Sequence, residues 1–230
     1  MTFRAPSRLV RDRRVLRDLR GCIVAAILLT ARLASAQSIT VTTAAVSIPP
    51  GLAPPVTAAL STDVVTVTTG TTKLEFWWVK TLPLREGVTG APSWSDVPDG
   101  SLVGALRLGA DWSDIRGFTV RPGVYTLRFA LQPQNGDHLG ISPNREFLLP
   151  APAADDLTPD AIGYDGAVAL ARKTSRRAHP ASISIDPPTS PGRPLSAATN
   201  DLGHQIVIVS VPTSAGALTF GVVVEGTIEH

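Results

Sequence analysis

The sequence predicts an all-β fold: an antiparallel sandwich of Ig-like or jelly-roll topology with one short helix near residues 166–175. Three observations lead there. Short runs rich in Val, Thr, Ile and aromatic residues recur along the chain, and proline- or glycine-bearing turns separate them. The clearest run alternates apolar and polar side chains with the period of two that a half-buried strand requires. Only one segment combines helix formers with helix-end signals.

The first 36 residues are read apart from the fold. Seven arginines precede an apolar run from Gly21 to Thr30, and Ala34-Ser35-Ala36 offers an A-x-A cleavage site before Gln37. A basic start, a short apolar centre and small residues at the cut make a secretory signal peptide. A membrane span needs about 20 apolar residues, and this run is about half that before Arg32 interrupts it. Arg13-Arg14 also admits twin-arginine export, although Asp12 and Arg17 flank the pair poorly. The expected location is periplasmic or secreted, with no transmembrane span after the signal is removed.

Removing the signal reverses the charge. The chain holds 21 basic and 19 acidic residues, and the signal takes eight arginines with Asp12 and Asp18. That leaves 13 basic against 17 acidic groups, a net charge of −4. A mildly acidic chain without a basic stripe has no electrostatic footprint for nucleic acid. Cys22, the only cysteine, lies inside the signal, so residues 37–230 have no disulfide, thiolate nucleophile or thiolate metal ligand. These residues are long enough for one core and are expected to form a single domain.

Ser38 to Ile48 reads as a first strand, closed by Pro49-Pro50-Gly51. Pro54-Pro55 is expected to prevent regular structure up to Val56. DVVTVTT, residues 63–69, and KLEFWWVK, residues 73–80, form a hairpin pair. The second carries bulky aromatics on both faces, so both faces should be covered. Ser101 to Leu108 is the next strand. Gly117 to Pro150 then reads GFTVRPGVYTLRFALQPQNGDHLGISPNREFLLP. Its Tyr125, Leu127, Phe129 and Leu131 should face the core, and Arg128 should reach solvent or a carboxylate, because a buried unpaired guanidinium is intolerable. A long loop leads to a partner strand, Arg145 to Leu149. The proline-rich Pro150 to Asp160 reads as a linker, in which Asp155-Asp156 have no tuned role. Asp165 is placed to cap a helix over Ala167 to Ser175. Ser182 to Asp186 is a short strand and Pro187 to Asn200 a loop. Gln205 to Val211 and Ala217 to Ile228 pair around a turn.

Two stretches are candidate ligand sites. The tripeptides Trp94-Ser95-Asp96 and Trp112-Ser113-Asp114 place tryptophan faces, which stack on sugars, beside carboxylates, which hold Ca²⁺. The plainer alternative is core packing by the aromatics and turn formation by the aspartates. The second stretch is Asp137-His138 in the long loop, where an imidazole beside a carboxylate suits a base or a metal ligand. Its plainer alternative is a turn of Asn, Gly and Asp. His179 and His204 lie far off in sequence, and only the fold could bring them to His138.

No G-x-S-x-G, H-E-x-x-H, phosphate-binding glycine loop or G-x-G-x-x-G is present. The stretch PGVYTLRFALQPQNGDHLGISPNREF, with residues 74–149 around it and the C-terminal strand, resembles a block of exported bacterial β-sandwich proteins of unknown function. That resemblance implies a secreted sandwich and assigns no catalytic residue. The expected function is a non-enzymatic binding or structural module of the bacterial cell envelope, without a cofactor, with a carbohydrate or protein partner. The competing expectation is a metal- or sugar-dependent enzyme centred on Asp137-His138. Intact-mass measurement of the exported protein should give a chain beginning at Gln37; a product beginning at Met1 would contradict the signal.

Overall fold

A computed structural model describes residues 39–70, 72–133, 144–175, 179–186 and 193–228. Ser38–His230 forms one compact unit. Its strands are β1 (Thr40–Ala45), β2 (Leu60–Thr69), β3 (Thr72–Val79), β4 (Leu102–Leu108), β5 (Trp112–Ser113), β6 (Thr119–Val120), β7 (Gly123–Leu131), β8 (Glu146–Pro152), β9 (Ile183–Asp186), β10 (Ser196–Thr199), β11 (Gln205–Thr213) and β12 (Gly216–Glu225). Two helices accompany them, α1 (Pro54–Ala59) and α2 (Gly163–Ser175). The fold is all-β and antiparallel, as the sequence predicts.

Ten strands form one sheet in the order β1-β2-β3-β4-β7-β8-β9-β12-β11-β10, and β5 pairs with β6 apart from it. The connectivity is therefore simpler than either Ig-like or jelly-roll topology. It is a meander from β1 to β9, interrupted by the β5–β6 hairpin. One Greek key follows, because β12 returns to lie beside β9. The sheet folds over on itself: the indole of Trp78 on β3 meets the ring of Phe220 on β12 edge-on at 5.7 Å. One core holds Val67, Phe76, Leu106 and Leu127 from one half and Val207, Val211, Phe220 and Val222 from the other.

The strand β7 sits inside the first half, paired with β4 and β8. Tyr125, Leu127 and Phe129 are buried as alternation requires, and Leu131 is half-buried at the strand's end. The opposite face is buried too, by Thr126, Arg128 and Ala130. Helix α2 covers that side, laying Ala167 and Ala171 on Ala130 and Leu149. Two alanines one turn apart leave the room a helix needs to approach a sheet closely.

Several expectations change in physical detail. Pro54 and Pro55 open α1 instead of preventing it, because the first helical turn needs no N–H and proline's fixed φ suits it. Asp165 lies within the first turn of α2, which begins at Gly163. The Pro187–Asn200 loop contains the edge strand β10, which pairs with β11 from Ser196↔Ile208 to Thr199↔Gln205.

The Pro150–Asp160 linker is no linker. Its first residues continue β8, opposite Leu127 and Tyr125 of β7. Pro150 and Pro152 lack N–H groups on the same edge of β8, and the ladder to β9 reaches only Leu148. Asp156 is buried at 2% exposure. It receives Nε of Arg128 at 2.8 Å and Nη2 at 2.5 Å. Arg128 meets the second of its two expected fates, a carboxylate.

Phe129→Ala should cost about 3–5 kcal/mol in urea unfolding, as deletion of a fully buried phenyl ring does. Gly100→Ala should cost at least about 2 kcal/mol. Gly100 has φ +76°, and a Cβ there would lie 2.5 Å from the backbone N and O of Gly163. Neutral behaviour of either variant would contradict the packing described.

Candidate functional site

The two Trp-Ser-Asp tripeptides serve different parts of the fold. Trp94 opens a 3₁₀ turn over residues 94–96. Its indole stacks on Phe129 at 4.8 Å and meets Phe220 edge-on at 4.8 Å. Asp96 closes a capping box: its Oδ2 accepts from the backbone N and the Oγ of Ser93, each at 2.8 Å. The Ser93 hydroxyl first, and its backbone N–H second, hold the Asp96 carboxyl below its ordinary value.

Trp112 lies buried on β5 and donates its indole N–H to the carbonyl of Val224 on β12 at 2.9 Å. Asp114 follows in the β5–β6 loop at 2% exposure. Its Oδ1 accepts from the backbone N–H groups of Arg116 and Phe118, both at 2.9 Å. Its Oδ2 accepts from Arg116 Nη2 at 2.8 Å and from the backbone N–H of Ser182 at 3.2 Å. Arg116 in turn donates to the carbonyl of Pro180 and the hydroxyl of Ser182. Asp114 thus binds its own loop and ties it to the start of β9. The plainer alternatives, packing and turn formation, describe what Trp94, Asp96, Trp112 and Asp114 do in this fold. Among the described residues, no three His, Cys, Asp or Glu side chains gather as a metal set. Asp137 and His138 lie outside the described residues.

A polar cluster absent from the sequence reading lies at the other end of β9. Asp186, the last residue of that strand, is 1% exposed. Its Oδ1 accepts from Asn144 Nδ2 at 2.6 Å, and its Oδ2 accepts from Asn200 Nδ2. The Nδ1 of His204 faces the same Oδ2 at 3.3 Å. Asn200 also uses its side-chain oxygen to accept from the backbone N–H groups of Leu202 and His204. The turn that carries the histidine is therefore built around one asparagine.

His204 is 3% exposed and lies against Gly226, where a Cβ would come within 2.5 Å of the imidazole Cδ2. His204 is among the residues that line a surface pocket of about 260 Å³, together with Leu202, Gln205, Glu225 and Thr227. The available sequence signal was an Asp closing a short apolar strand and an Asn-Asp-Leu-Gly-His turn downstream. Neither segment reveals that the other is its neighbour. No family model, curated protein or solved structure matches this chain.

Ser93→Ala should raise the Asp96 pKa toward the ordinary aspartate range, read by carbon-detected NMR titration. Because the folded value is depressed, the stability this carboxylate contributes is present above pH about 4 and lost as pH falls through the folded value. An unchanged titration would show that Ser93 is not the cause. Asp114→Ala should cost about 3 kcal/mol in unfolding free energy, since it strands buried N–H groups and the Arg116 charge.

Proposed function

We propose that this chain is an exported, non-enzymatic binding or structural module of the bacterial cell envelope, working without a cofactor and meeting a carbohydrate or protein partner. The observation that carries the reading is how the fold uses its chemically capable side chains. Arg128 and Asp156 are committed to each other, Asp114 and Arg116 to the start of β9, and Trp112 to a carbonyl of β12. Side chains so committed stiffen a scaffold, and a stiff sheet that presents turns is a suitable frame for recognition. The basic-apolar leader and the A-x-A site support a periplasmic or secreted setting.

One observation favours the competing enzyme reading. Asn144, shortly after the Asp137-His138 loop in sequence, donates to the same Asp186 that faces His204. The two readings separate on protein exported from the full-length gene and purified without a metal-affinity tag. The binding reading expects well under one equivalent of metal by elemental analysis and no turnover of hydrolase or oxidoreductase substrates. An activity lost on His138→Ala, or one equivalent of bound metal, would overturn it.

A further inference from the structure

The imidazole of His204 is nine-tenths buried, yet only one of its nitrogens has a partner among the described residues. Asp186 fixes which one. Two asparagine amides donate to that carboxylate, one to each oxygen, and an ionised carboxylate can only accept. Opposite an ionised Asp186, Nδ1 is the nitrogen that carries the hydrogen. In the neutral ring, Nε2 is left with its lone pair. A buried carboxylate that orients an imidazole from behind is the arrangement by which proteins aim Nε2 at a ligand.

The pocket beside that ring is rich in acceptors. Glu225 supplies its one charged side chain, and Glu225 Oε2 accepts from Thr69 Oγ1 at 2.5 Å. Oε1 has no partner among the described residues. No lysine or arginine lines the pocket. An anion would meet Glu225 with Asp186 behind the ring, and nothing would compensate it. A cationic group that carries several hydrogens meets acceptors instead. The volume of about 260 Å³ falls just below the about 300–1,000 Å³ of drug-sized ligand sites, so it suits one sugar ring or one side chain.

We propose that the pocket between Leu202 and Thr227 binds a primary ammonium group, donated to His204 Nε2 and to the Glu225 carboxylate. This rests on the binding reading above, and it names the chemistry that such a module would recognise: the amine of an amino sugar or of a lysine-like side chain. Asp186 is the positioning residue, and His204 and Glu225 touch the ligand.

The test uses the full exported protein with ¹⁵N-labelled histidine. Four probes are compared: glucosamine, N-acetylglucosamine, lysine blocked at its α-amine and carboxyl, and Zn²⁺. Glucosamine or blocked lysine should move the His204 Nε2 resonance saturably, and N-acetylglucosamine, which has the same ring without the charge, should not. Glu225→Gln should weaken the amine about tenfold, the loss expected for one hydrogen bond to a charged group. Glu225 is exposed, so this variant tests the site even if His204→Gln fails to fold. The tighter amine identifies the source, amino sugar or peptide side chain. Equal binding of N-acetylglucosamine, silence of both amines, or a response to Zn²⁺ alone would overturn the proposal. Amines silent in a protein that also turns over no substrate sink this site only, whereas turnover sinks the reading beneath it.

Discussion

A guanidinium in the middle of a central strand sets the terms for much of this fold. Arg128 has no exposed surface, and a charge so placed survives only with a counter-ion and a full set of acceptors. It has both. Its five hydrogen bonds reach both Asp156 oxygens and the carbonyls of Gly100, Thr158 and Asp160. Thr126, two residues earlier on the same face of β7, adds its hydroxyl to Asp156 at 2.5 Å. The chain from Asp156 to Asp160 is therefore drawn down onto the outer face of the sheet. Ile162 and Gly163 follow by donating their N–H groups to the carbonyls of Gly100 and Asp99. The helix α2 begins there, already lying over Ala130 and Leu149.

The same device recurs where the two halves of the sheet meet. The joint is β9, and it is short: two residue pairs tie it to β8 and two to β12. So few ladder bonds need support, and a buried carboxylate works at each end. Asp114 receives the N–H of Ser182 just before the strand. Asp186 closes it, held by Asn144 and Asn200. Gly221 permits the approach of β12, because a Cβ there would lie 2.6 Å from the carbonyl oxygen of Asp186. At this second end the carboxylate that fixes the joint also faces Nδ1 of His204.

What could be read from the sequence was what depends on near neighbours. Alternation placed Tyr125, Leu127 and Phe129 in the core, and aromatics on both sides of KLEFWWVK showed that β3 is covered on both faces. A buried arginine demands an acid, but the demand names no address. Asp156 stood 28 residues away in a proline-rich stretch, where prolines and paired acids read as a solvated linker. A strand that pairs with β7 along one edge tolerates those prolines on the other, which no local pattern displays. The polar cluster was hidden for the same reason. Asp186 and His204 are 18 residues apart, with an edge strand between them, and only pairing across β9, β12 and β11 makes them neighbours. For the two candidate tryptophans residue type did not reveal the packing: Trp112 is buried, and Trp94 lies against Phe129 and Phe220.

A double-mutant cycle at Arg128 and Asp156 tests most directly whether one buried pair organises the segment that follows it. Arg128→Met and Asp156→Leu, alone and together, would be compared by urea unfolding, with hydrogen exchange at the amides of α2. Each single change should cost about 3–5 kcal/mol, because it strands the opposite charge, and should speed exchange in α2. The double variant should cost no more than either single one, a coupling of several kcal/mol. Additive costs below about 1 kcal/mol each, with α2 protected as before, would contradict a fold that depends on this pair.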